Sequence, residues 1–109
     1  MNADYLEKLL VATAERRAAA HGMRFGQGAD SAIREFARSG AEQILSGDHV
    51  RGLRNKSIGD TVAAFERLVD MMVSASGEIP GYREAQPGVI GEDTLARALT
   101  WICPLFPFC

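Results

Sequence analysis

No run of this sequence approaches the ~20 consecutive apolar residues that a membrane-crossing helix requires. Its most apolar stretch, residues 99–109, is broken by Pro104 and Pro107. The start, MNADYLEK, has an acidic residue where a secretory leader has a basic one, and no apolar core follows. The expectation is a cytoplasmic protein. Cysteine is nearly absent: Cys103 and Cys109 are the only two, so the fold does not depend on a disulfide scaffold. Catalytic signatures are missing as well. The glycine-bearing stretch GMRFGQG (22–28) lacks the Lys-Ser/Thr and the preceding apolar strand of a phosphate-binding loop. There is no His-Glu-x-x-His, no Gly-x-Ser-x-Gly and no Cys/His pair close in sequence. These absences predict a protein that is not an enzyme and holds no cofactor or metal.

What is present suffices for one folded unit. A chain of 109 residues fits a single domain, 1–109, and 47% apolar residues can furnish its core. A net charge of −2 and plentiful apolar side chains argue against disorder. Residues 1–56 carry nine Lys and Arg against seven Asp and Glu, while residues 57–109 carry three against seven. That asymmetry can orient a partner, but neither half has the charge of a nucleic-acid-binding tail.

Helical periodicity dominates. Residues 3–21 are rich in helix formers, with Asn2 or Asp4 as cap and Leu6, Leu9, Leu10 and Thr13 or Ala14 as the apolar stripe. Gly22 is placed to close that helix in the left-handed region. Within GMRFGQG, Met23 and Phe25 alternate, as side chains dipping into a core would. A second helix is predicted from Asp30 to Leu45, with Ile33, Phe36, Ala37, Gly40, Ala41 and Ile44 inward. Asp30 with Arg34, and Arg38 with Glu42, have the spacing of exposed ion pairs. A third helix is expected from Ser57, whose spacing to Asp60 suggests a capping box. Its seam is Ile58, Val62, Phe65, Val69 and Met72, widened by Leu68, Met71 and Val73. Residues 77–91, with four glycines and two prolines, read as a loop, and a last helix as 92–102 with Leu95, Ala98, Leu99 and Ile102 inward. No internal repeat is evident. The fold class is therefore all-α, a compact four- to five-helix bundle, with a loop before the last helix long enough for it to cross over or swap into a partner.

Nucleic acid is a poor fit. Arg51, Arg54 and Lys56 cluster, but the connection between helices two and three exceeds a helix-turn-helix turn, and the third helix has one arginine against three acids. Glu66 and Asp70 share a face four residues apart and read as solvated charges. His21 reads as a helix cap and His49 as a loop residue.

One stretch, PGVIGEDTLARAL (87–99), resembles the Gly-x-x-Gly-x-x-Thr turn and helix of bacterial peptidoglycan-binding repeats. The resemblance covers thirteen residues and implies a turn leading into a helix; the preceding helices do not follow that family's pattern.

The sharpest feature is the end, Trp101-Ile-Cys-Pro-Leu-Phe-Pro-Phe-Cys109. Trp101, Leu105, Phe106 and Phe108, with Phe65 and Met72, are the candidate interaction surface, and the two prolines limit the entropy lost on binding. Cys103 and Cys109 are candidate redox thiols, six residues apart with prolines to turn the chain between them. As thiolates they would be half of a zinc site, with His21, His49 or a second chain completing it. Cys103-Pro104 also matches the two-residue core of haem-regulatory motifs. The sequence thus predicts a non-enzymatic protein-binding or regulatory protein, self-associating as a homodimer or docking to another protein. Two alternatives stay open: a thiol-based redox or metal-responsive sensor, and a precursor presenting its C-terminal peptide for processing.

Overall fold

Asn2 starts the first helix. Its side-chain Oδ1 accepts the Tyr5 amide at 2.8 Å, satisfying one of the donors that a helix start leaves open. In the computed structural model, α1 spans Ala3–Ala20, α2 Gln27–Leu45, α3 Leu53–Ser74 and α4 Glu92–Ile102. Two strands of two residues, β1 (Arg24–Phe25) and β2 (Val89–Ile90), precede α2 and α4. The structure describes residues 2–45, 53–74 and 88–102, and only the backbone of residues 53–57, 74, 101 and 102. The fold is a mostly helical bundle, as the periodicity predicts.

α1 ends in a two-bond glycine cap. With Gly22 at φ +73°, its amide reaches the Ala19 carbonyl at 2.9 Å, and the Met23 amide reaches Ala18 at 2.8 Å. The chain turns there and enters β1. α1 packs against α2 and α3, and α4 lies on α2 and α3 of its own chain.

The core sits where these helices meet. α1 buries Leu6, Leu10, Thr13, Ala14 and Ala18. α2 buries Ala29, Ile33, Ala37, Gly40, Ala41 and Ile44, four small residues and two isoleucines. α3 adds Thr61, Ala64, Phe65, Leu68, Val69 and Met72, and α4 adds Thr94, Leu95 and Ala98. Each large aliphatic side chain enclosed this way contributes about 1.5–3 kcal/mol relative to exposure. Phe36 closes over Phe65, with ring centroids 5.7 Å apart and planes tilted by 32°.

Four expectations change. α2 begins at Gln27, three residues before Asp30, because the Gly26 carbonyl takes the Asp30 amide at 2.8 Å. α3 begins at Leu53, so Ser57 lies inside the helix and is not its cap. Phe65 and Met72, expected on an interaction surface, are fully buried; a side chain enclosed by its own core has no face to offer a partner. The Ile58 and Val62 end of the expected seam is only half-buried, Leu68 is buried as its widening predicts, and Thr61, outside that seam, is inside as well.

The strands disclose a repetition. β1 and β2 run parallel, Arg24 opposite Val89 and Phe25 opposite Ile90. The Arg24 amide donates to Gly88 at 2.8 Å and the Gly26 amide to Ile90 at 2.9 Å. Each strand follows a positive-φ glycine, Gly22 or Gly88 (φ +80°). Each leads through one further glycine into a helix, with the Leu95 amide bonding Gly91 at 3.1 Å as Asp30 bonds Gly26. Two turn–strand–helix units thus stand side by side.

Candidate functional site

α1's last turn brings Arg17 and His21 toward α3. The Arg17 Nε and Nη2 donate to Asp70 Oδ1 and Oδ2, both at 2.7 Å. His21 Nε2 lies 2.9 Å from Asp70 Oδ1, and Arg17 Nη1 lies 3.6 Å from Glu66 Oε2. The Arg17 hydrogen bonds are the chief reason that the Asp70 carboxyl titrates at about 2; partial burial opposes them and His21 reinforces them. The Asp70 hydrogen bond in turn raises the Arg17 guanidinium above its ordinary value. Asp70 is therefore an inter-helix clamp and not merely a solvated charge, while Glu66 is a half-exposed charge at its edge. At the other end, Arg38 bonds Asp4 on α1 and Glu42 on its own helix, the latter at 2.7 Å. Arg34 pairs with Asp30 at 3.1 Å. Both helical spacings proposed for ion pairs on α2 form them.

Every buried side-chain nitrogen and oxygen among the described residues has a hydrogen-bond partner. Among those residues no three His, Cys, Asp or Glu side chains converge as a metal ion needs, and no helix is long and apolar enough to cross a membrane.

A cleft of about 250 Å³ opens where α1 gives way to β1, lined by Glu15, Ala19, Met23, Arg24, Phe25 and Asp30. Met23 and Phe25 pack against the core and are half-buried. Glu15 and Arg24 stand exposed at the rim. The cleft exists because the cap at Gly22 reverses the chain beside α1, and the pairing with β2 holds it there. An apolar floor with acceptor and donor groups around it is the composition of a small binding recess. A shallower depression between α1 and α2, lined by Glu7, Arg34, Glu35, Arg38, Ser39 and Glu42, has two of its guanidinium groups already paired.

The residues singled out from sequence are distributed unevenly. His21 caps α1 and faces Asp70. Trp101 belongs to the last turn of α4, its side chain outside the described set. His49, Cys103, Leu105, Phe106, Phe108 and Cys109 lie outside the described residues. Sequence reasoning missed the recess. The alternation of Met23 and Phe25 was the signal, but its walls come from α1 and α2, which no local pattern joins. It also missed the pairing of the two units, whose trace is the shared apolar–Gly step at Phe25-Gly26 and Ile90-Gly91.

Fold and cleft together define a helical domain with a small recess beside a paired-turn platform. Comparison with known proteins finds no family model, no curated protein and no solved structure that matches this chain.

Proposed function

We propose that the chain is a non-enzymatic binding and regulatory domain, and that its recess receives a side chain of a protein partner. The recess carries this reading: Met23 and Phe25 supply an apolar floor about large enough for one residue, and Glu15, Arg24 and Asp30 supply polar contacts at its edge. Arg17 of α1 is engaged instead with Asp70 and Glu66 of α3. The apolar C-terminal residues Trp101, Leu105, Phe106 and Phe108 are the second candidate contact surface, for a second copy of the chain or another protein.

The test fills the recess without opening the core. Ala19 is exposed at its wall, so Ala19→Trp occupies the space with little effect on packing. A partner recovered with the wild type, and then shown to bind as a purified protein, should lose affinity at least tenfold for Ala19→Trp. Equal affinity for both would overturn the assignment of the recess. Light scattering at high micromolar concentration asks separately whether the partner is a second copy.

A second reading is favoured by the paired units. Residues 87–99, the stretch that resembles peptidoglycan-binding repeats, have a second glycine turn, strand and helix beside them, paired in register at Phe25 and Ile90, though its glycines are four positions apart where Gly88 and Gly91 are three. A cell-wall glycan suits the same recess: a sugar ring can lay its apolar face on Phe25 and offer hydroxyls to Glu15, Arg24 and Asp30. Cosedimentation with purified peptidoglycan discriminates the two. Binding that Ala19→Trp abolishes supports the glycan; wild-type protein remaining wholly in the supernatant removes it.

A further inference from the structure

We draw no further inference here: the strongest candidate, the cleft of about 250 Å³ between α1, β1 and the first turn of α2, belongs to the site already described, and nothing in the structure shows what covers it.

Discussion

Arg17 and Asp70 meet through two parallel hydrogen bonds of 2.7 Å across 53 positions of sequence. A planar guanidinium facing a carboxylate in this way adds direction as well as attraction. It holds α1 and α3 in one relative orientation at the end of α1 where the chain turns into β1. His21, the C-terminal cap of α1, places its Nε2 2.9 Å from the same carboxylate.

This pair makes stability depend on acid. Asp70 titrates at about 2, against an ordinary value of 3.8, so on acidification the unfolded chain takes up its proton first. The contribution is complete above pH ~4 and is lost as the pH falls toward 2. With a side chain 34% exposed, solvent screening reduces it to about 1 kcal/mol. Urea unfolding of wild type and Asp70→Asn from pH 2 to 7 should differ by about that amount at neutral pH and converge near pH 2. Curves that stay parallel throughout would mean that the ion pair contributes no pH-dependent stability.

The glycines of the two turns should separate cleanly by backbone conformation. Gly22 and Gly88 have φ of +73° and +80°, where a side chain strains the backbone, and a Cβ on Gly88 would also meet the Gly22 carbonyl at 3.4 Å. Gly22→Ala and Gly88→Ala should each cost about 1–2 kcal/mol. Gly91 has no positive φ and open space around it, so Gly91→Ala should fall within about 0.5 kcal/mol of wild type. Gly28 is intermediate: a Cβ there would sit 2.6 Å from Glu92 Oε2, the far end of a flexible side chain that can move aside. Thermal melts of the four variants check the order, and an equal cost at Gly22 and Gly91 would contradict it.

Phe65 should be the most sensitive core position. It is fully buried and stacked obliquely with Phe36, so Phe65→Ala removes both enclosed volume and a ring contact. The expected cost is about 3–5 kcal/mol. Phe36 is only half-buried, and Phe36→Leu should cost less than half as much. A double-mutant cycle across the two rings should return about 0.5–1.5 kcal/mol of coupling. Additivity would show that the rings are neighbours without interacting.

Local signals carried the helices where the cause was itself local. α4 is read correctly at both ends because Glu92 and Asp93 suit a helix start and Leu95 and Ala98 mark one face. Gly22 closes α1 for a reason intrinsic to glycine. The failures have distant causes. α2 starts at Gln27 through a carbonyl held in place by the parallel bridge, which needs residues 89 and 90. Phe65 and Met72 fit a seam equally well whether it faces a core or a partner, since both surfaces ask for the same side chains. The Arg17–Asp70 clamp joins two helices far apart in sequence, so the i, i+4 rule that finds Arg38–Glu42 cannot find it.

Filling the recess and removing its floor should have different consequences. Phe25 packs against the core from β1 and is half-buried, so Phe25→Ala forfeits contacts that support the strand pairing. The expected loss is about 1–2 kcal/mol, below that of a wholly enclosed ring. Ala19 is exposed on a helix, and Ala19→Trp should shift stability by no more than about 0.5 kcal/mol. Ligand affinity should fall for both, through a lost surface in one variant and an occupied space in the other. Melting curves and binding isotherms measured on the same samples separate the cases. Should Phe25→Ala weaken binding while Ala19→Trp leaves it intact, the strand would matter only as scaffold and the ligand would sit elsewhere on the domain.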